Sequence, residues 1–182
     1  MAGLIRKGFA GVAAGMVGTL AMDVLWYLRY RRSGGTQDPL NWEFGGVEGW
    51  DEVSAPGEVG LLVLREIMGE DPPESWAQPT QNAMHWLTGM GWGKVLAITV
   101  GAVSWRTGLA LGPLAWLTSY VVLPPLGVYR PIQSYPLPIL AKDLSAHLVF
   151  GVVTAAVVAA WTPGVAGAKN SVKNPSRRGL LR

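Results

Sequence analysis

Four long apolar stretches, separated by polar segments, dominate the pattern of the chain. Residues 8–28, 80–105, 107–129 and 143–162 each contain at most one Asp, Glu, Lys or Arg. A stretch of this kind, wound as a helix at about 1.5 Å per residue, reaches across the ~30 Å hydrocarbon layer of a bilayer. The pattern therefore predicts an all-α integral membrane protein, a four-helix bundle built in residues 1–162.

The outer loop, residues 29–79, has a different composition. Residues 36–81 hold ten acids and a single Arg. Within the loop, apolar side chains recur at helical spacing, at Val59, Leu62, Val63 and Ile67. This spacing predicts a short amphipathic helix over residues 58–68, which lies either on the membrane surface or on the bundle as a lid.

Composition and charge exclude several classes of protein. The 182 residues are 49% apolar and 15% charged, and the absence of Cys excludes disulfides, thiolate zinc sites and iron–sulfur clusters. The pI near 9.4 is compatible with nucleic-acid binding. However, five of the 15 basic residues lie in the tail 163–182. We therefore predict a disordered basic tail on the cytoplasmic side of the membrane, and no nucleic-acid partner.

The distribution of cations gives an orientation. Cytoplasmic termini place Arg6, Lys7, Arg106 and the tail inside, and they place the acidic loop outside. The cluster Arg29–Arg32 opposes this orientation, because its three arginines follow the first stretch on the outer side. The prediction is a multi-pass protein with both termini in the cytoplasm.

Small residues line one face of the first stretch. Gly8, Gly11, Gly15 and Gly18 recur at intervals of three or four residues, which lets another helix backbone approach closely. Such a face serves packing within the chain, a homo-oligomer or a partner membrane protein. A scaffold or interaction subunit is therefore one alternative function.

Three ionisable residues inside the stretches are the candidate site. His85 and His147 are the two histidines of the chain, and each is followed four residues later by a glycine, Gly89 and Gly151. Counted from the predicted outer face, Asp23, His85 and His147 lie at similar depths. A carboxylate within the hydrocarbon layer costs about 2.5–3.5 kcal/mol, so Asp23 requires a partner, water or a proton.

Several chemistries are compatible with Asp23, His85 and His147. A polar layer of this kind suits a divalent metal, a proton relay or a small polar solute. Haem b between His85 and His147 is a further alternative. The simplest alternative is that each side chain bonds to water, lipid or a loop carbonyl. No phosphate-binding loop, HExxH motif or nucleophile elbow is present, so no enzyme activity is predicted.

Two short segments suggest an internal repeat. Arg6-Lys7-Gly8 before the first stretch is similar to Arg106-Thr107-Gly108 before the third, and His85 in the second echoes His147 in the fourth. A repeat of this type predicts two helical hairpins in the same membrane orientation.

The order of elements resembles a known family. It comprises one span, a long loop with Pro-Pro, His85 opening the second span, a third span that ends in Leu123-Pro124-Pro125-Leu126-Gly127, a Pro-rich connector, and Asp143 to His147 opening the fourth. This order resembles the YagU-like family of small bacterial inner-membrane proteins. The resemblance implies a four-helix protein of the bacterial inner membrane, without an assigned activity.

Overall fold

A computed structural model describes residues 2–162 of the chain as helices and short connections. The α-helices are α1 (Ala2–Arg32), α2 (Pro39–Phe44), α3 (Ala55–Met68), α4 (Ala77–Thr99), α5 (Gly108–Val122) and α6 (Leu137–Trp161). Single 3-10 turns lie at Glu74–Trp76, Trp105–Thr107, Pro124–Leu126 and Ile132–Ser134. The described range contains no strand, which confirms the all-α prediction. The predicted tail 163–182 lies outside the described residues.

Helix α1 is the centre of the arrangement. It packs against α4 and α6, while α5 packs against α6 and α3 lies on α4. The fully buried residues Ala14 on α1, Ala146 on α6 and Ala155 on α6 belong to the apolar core between these helices. The order α4, α1, α6, α5 leaves concave space between α4 and α5, which is where the candidate site lies.

The glycines of α1 bring it into direct backbone contact with α4. A Cβ on Gly11 would lie 2.5 Å from the carbonyl oxygen of Gly93, and a Cβ on Gly15 would overlap the carbonyl of Gly89. Gly18 faces α6, where a Cβ would meet Thr154. The glycine face found in the sequence is therefore used inside the chain, where it lets two backbones approach within van der Waals distance.

A second set of glycines joins α5 to α6. A Cβ on Gly108 would overlap the carbonyl of Gly151, and a Cβ on Gly112 would overlap that of His147. The glycine four residues after each histidine is thus a packing residue. Gly89 contacts α1, and Gly151 contacts α5.

Within the described residues, three helices are long and apolar enough to cross a membrane: Gly3–Arg32, Trp105–Leu126 and Leu137–Trp161. They correspond to the first, third and fourth predicted spans. Helix α4, at the position of the second, has 23 residues but is not one of them. Its polar residues lower its hydropathy; they are Gln78, Gln81, Asn82, His85 and Lys94.

The outer surface of the long helices is apolar. Phe9 on α1 is 74% exposed, and Val121 on α5 is 64% exposed. Helix α4 also presents Leu87, Val95 and Ile98 outward, at 56%, 46% and 40% exposure. Such side chains suit contact with lipid rather than with water.

The helix boundaries differ from the predicted spans. Helix α4 ends at Thr99 rather than reaching residue 105, and α5 ends at Val122 rather than at residue 129. Pro124 and Pro125 explain the second difference, because neither can donate a helical hydrogen bond. Helix α6 begins at Leu137, six residues before the predicted start, with Pro138 among its first two residues, where a missing N–H costs nothing.

The loop between α1 and α4 is helical in part. Asp38 caps α2 by accepting from the N–H groups of Leu40 and Asn41. The predicted amphipathic helix is α3, which ends at Gly69 with φ of 73°. It rests on α4 through Gly60, against Thr80 and Met84.

We expect Gly15→Val to destabilise the fold by about 1–3 kcal/mol, because the added side chain must separate α1 from the backbone of α4. Gly91→Val is the matched control, since a Cβ at Gly91 meets nothing within 4 Å. Unfolding of purified protein in detergent, followed by circular dichroism, compares the two. Equal loss of stability in both variants would contradict the assigned contact.

Candidate functional site

Asp23 on α1 and His85 on α4 form a pair between two helices. The Oδ1 atom of Asp23 lies 2.8 Å from Nε2 of His85. The Asp23 side chain is only 10% exposed, and the His85 side chain is 28% exposed. The contact between Gly15 and Gly89 fixes the antiparallel register that places these two residues within reach.

The pairing leaves one oxygen of Asp23 unused. Oδ2 is buried and has no hydrogen-bond partner among the described residues. A buried carboxylate oxygen without a partner is costly, so Asp23 has spare capacity to accept a hydrogen bond. On His85, the bond to Asp23 occupies Nε2 and orients the ring through that nitrogen.

His147 belongs to a second pair, built on α6 with support from α5. Its Nδ1 lies 3.1 Å from the carbonyl oxygen of Asp143, one turn earlier, and 3.3 Å from Oδ1 of the same residue. Tyr120 on α5 donates its hydroxyl to Oδ2 of Asp143 at 3.1 Å. The Asp23 carboxylate therefore orients His85, whereas the backbone carbonyl of Asp143 orients His147 with the carboxylate of the same residue close by. In each case the bond fixes the ring and makes its other nitrogen a defined polar group.

A third carboxylate lies over the first pair. Glu43, at the end of α2, accepts a hydrogen bond from Nε1 of Trp86 at 3.2 Å, and its backbone carbonyl accepts from Asn82 at 2.9 Å. Burial and the charge of Asp23 raise the pKa of Glu43, and the hydrogen bond from Trp86 partly opposes them. Helix α2 is thus tied to the start of α4 beside His85.

Both histidines line one cavity of about 380 Å³. Its walls come from α1, α3, α4, α5 and α6. The polar lining residues are Thr19, Ser54, His85, Thr88, Ser119, Tyr129, Asp143 and His147. Aromatic and thioether side chains form much of the remaining wall, at Trp26, Trp92, Phe150, Met22 and Met84. An apolar cavity with a few convergent polar groups is the usual form of a small-molecule site.

Tyr129 shows the electrostatic character of the cavity next to α6. Burial, reinforced by the negative charge of Asp143, raises the pKa of Tyr129 to about 12. The phenol therefore stays protonated, and it remains a hydrogen-bond donor at neutral pH. Together with Tyr120 and Tyr135 it forms an aromatic cluster, with ring centroids 5.1–6.1 Å apart.

The structure brings two of the three predicted site residues into contact. Asp23 binds His85 directly, whereas His147 is paired with Asp143 and shares only the cavity with His85. Within residues 2–162, no group of three or more His, Cys, Asp or Glu side chains is placed to hold a metal ion. The predicted set Asp23, His85 and His147 is thus divided between two pairs.

Haem b would require the two imidazoles to face each other across a macrocycle. Here His85 is oriented by the Asp23 carboxylate on α1, and His147 is oriented by the backbone carbonyl of Asp143 on its own helix. These bonds use Nε2 of His85 and Nδ1 of His147. Haem b therefore stays a prediction from the sequence.

Sequence reasoning missed several residues of the site. The spacing of Asp143 and His147, four residues apart on one helix, was a usable signal, because such residues share a helix face. Glu43 carried none, since it is one of ten acids in the loop region. Ser119 and Tyr120 carried none either, because α5 has no charge that would mark one face.

Comparison with known proteins adds no relative. No protein-family model matches the sequence, and no curated protein or solved structure matches it significantly. The functional argument therefore rests on the geometry of this chain.

The pairing of Asp23 with His85 predicts energetic coupling. The free energies of unfolding of Asp23→Ala, His85→Ala and the double variant should give an interaction energy of about 1–3 kcal/mol. Either single change leaves the other polar side chain without its hydrogen-bond partner. Thermal unfolding in detergent supplies the three values. Strictly additive losses would show that the two side chains do not interact.

Proposed function

We propose that the chain is a membrane protein that binds a small solute in the cavity between its helices. The observation that carries this proposal is that His85 on α4 and His147 on α6 line one cavity, each oriented by a hydrogen bond to an Asp residue, through the carboxylate of Asp23 and the backbone carbonyl of Asp143. Ionisable side chains are costly to bury inside a membrane protein, and they commonly mark a ligand or ion pathway.

The lining suggests the kind of solute. The indoles of Trp26 and Trp92, together with Phe150, favour an apolar or ring-shaped body. The imidazoles and the hydroxyl of Ser119 offer hydrogen bonds at fixed points. We therefore propose a small amphipathic solute rather than a metal ion.

The full membrane arrangement is also part of the proposal. Helix α4 lies beside α1 with an apolar outer surface at Leu87, Val95 and Ile98, which supports its role as a fourth span. Four spans place both ends of the described chain on one side of the membrane. With the cation distribution of the sequence, we propose that this side is the cytoplasm and that the membrane is the bacterial inner membrane.

The glycine contacts support two related hairpins, α1 with α4 and α5 with α6. Gly11 and Gly15 meet Gly93 and Gly89, as Gly108 and Gly112 meet Gly151 and His147. In this register, Asp23 and His85 correspond to Tyr120 and Asp143, and both pairs are hydrogen-bonded. His147 then corresponds to Gly89, one helical turn away from the match with His85 that the sequence suggested.

The resemblance to the YagU-like family is also part of the proposal, and it agrees with a small multi-pass protein.

The scaffold alternative requires a different surface from the glycine face of α1. Gly11 and Gly15 already face α4, so a partner protein or a second copy would have to contact other residues of α1.

The absence of cysteine makes the cavity accessible to a direct test. We expect Ser119→Cys to react with a membrane-impermeant methanethiosulfonate ammonium reagent added from the outer side, because Ser119 lines the cavity. The matched control is Leu117→Cys on the same helix. Leu117 is 46% exposed on the surface of the helix bundle and does not line the cavity. Mass spectrometry of the intact chain measures the labelled fraction.

Labelling of Ser119→Cys well above that of Leu117→Cys supports a cavity that opens to the aqueous phase. Adding His85→Phe should then slow the labelling, because a bulkier apolar side chain replaces an imidazole in the wall. Equal and slow labelling of both cysteines from either side of the membrane would contradict the proposed solute site.

A further inference from the structure

Two cations from different helices meet at one indole near the loop end of the helices. The guanidinium carbon of Arg29 lies 5.0 Å from the ring centroid of Trp26, and the ammonium nitrogen of Lys142 lies 5.1 Å from the same ring. Because both distances are measured to the same ring centroid, the separation of the two charges cannot exceed their sum. Cations held over an indole keep a defined position.

The position of Arg29 is fixed further by α6. Its guanidinium donates to the carbonyl oxygen of Lys142 at 2.9 Å and to the hydroxyl of Ser145 at 2.7 Å. These bonds use two of the five N–H groups of the guanidinium, so three remain available. The ammonium group of Lys142 donates no hydrogen bond to the described residues and lies at an exposed position.

No carboxylate neutralises this pair. Neither Arg29 nor Lys142 is in a salt bridge with any residue in the described range. The nearest acid in sequence, Asp143, is engaged by His147 and Tyr120. The two charges are therefore left to attract an anion from outside the protein.

The surroundings favour an anion that is part of a lipid. Arg29 lies in the last turn of α1, and Lys142 lies in the second turn of α6, at the ends of the two helices that meet each other. Val24 and Leu28, one turn apart on α1 just before Arg29, are 49% and 48% exposed and offer an apolar surface to an acyl chain. Aromatic rings at this level, Tyr27, Tyr30 and Trp42, are typical of the interface with lipid headgroups.

We propose that Arg29, Lys142 and Trp26 form a binding site for the phosphate of an anionic phospholipid. The guanidinium fork suits phosphate oxygens, the ammonium group adds a second charge, and the acyl chains lie along the outer surface of α1. The site adjoins the solute cavity, whose wall also includes Trp26, but its two cations, Arg29 and Lys142, do not line that cavity. The site also gives a role to Arg29 and Lys142 at helix ends that the charge distribution places on the outer side of the membrane.

The test measures phosphatidylglycerol binding to the full chain by native mass spectrometry from detergent, with phosphatidylcholine as the neutral comparison. We expect the wild type to bind one phosphatidylglycerol in preference to phosphatidylcholine. Lys142→Gln should weaken that binding about fivefold, in line with the contribution of one basic residue near a charged lipid, and Arg29→Gln combined with Lys142→Gln should weaken it further.

The charge-matched control is Arg31→Gln with Arg32→Gln, which removes two cations from the same helix end without touching Trp26. An equal loss in this control would overturn the site, because general electrostatics would then explain the binding. Lys142→Gln removes the ammonium group but no side-chain hydrogen bond, and it keeps the backbone carbonyl that binds Arg29. Unchanged binding in this variant would overturn the proposal. Lys142→Arg should retain binding.

A second arm separates the lipid from free phosphate. Excess inorganic phosphate should leave bound phosphatidylglycerol in place, because the acyl chains contribute to its affinity through the apolar surface. Complete displacement by inorganic phosphate would overturn the assignment to a lipid and assign the site to the free anion.

Discussion

The close approach of α1 to its two neighbours is the constraint on which the rest of the structure depends. Inside a bilayer the hydrophobic effect does not hold helices together, so contact must come from packing and hydrogen bonds. Gly11 and Gly15 allow backbone contact with α4, and Gly18 allows it with α6. One helix thereby sets the position of two others, and Asp23, in the C-terminal half of that helix, acquires a histidine partner.

The polar residues of the helices are arranged as pairs rather than as one cluster. Asp23 is shared between α1 and α4, and Asp143 is shared between α5 and α6 through Tyr120. Each acid lies beside a histidine, which limits the cost of burying both groups. The cavity between the helices has hydrogen-bonding groups on α4, α5 and α6, and aromatic side chains form much of the remaining wall.

Hydropathy predicts α1, α5 and α6 because length and lack of charge are sufficient signals. By the same measure α4 is not a candidate span, because Gln78, Asn82 and Lys94 lower the hydropathy of a helix that packs closely against α1 and α3. Helical spacing locates α3 correctly, since Val59, Leu62 and Ile67 fall within Ala55–Met68. Prolines give the end of α5, whereas Pro136 and Pro138 made the first turn of α6 resemble a loop.

The site could be predicted only in part. Equal depth in the layer links Asp23 with His85, because antiparallel neighbours bring such residues side by side. Depth alone does not say which helices are neighbours, and so it groups His147 with a pair to which it does not belong. Glycine spacing marks a packing face but not its partner. The role of Glu43 depends on a six-residue helix folding back over α4, which no local pattern reveals.

Helix α3 supplies part of the cavity wall, through Ser54, Ala55, Pro56 and Val59, although it belongs to the acidic connection between the first two long helices. That connection is therefore part of the cavity wall and not only a link between two helices. Its helix packs on α4 at Gly60, against Thr80 and Met84. A chimaera that exchanged only this connection would change one wall of the cavity, while the walls formed by the long helices stayed the same.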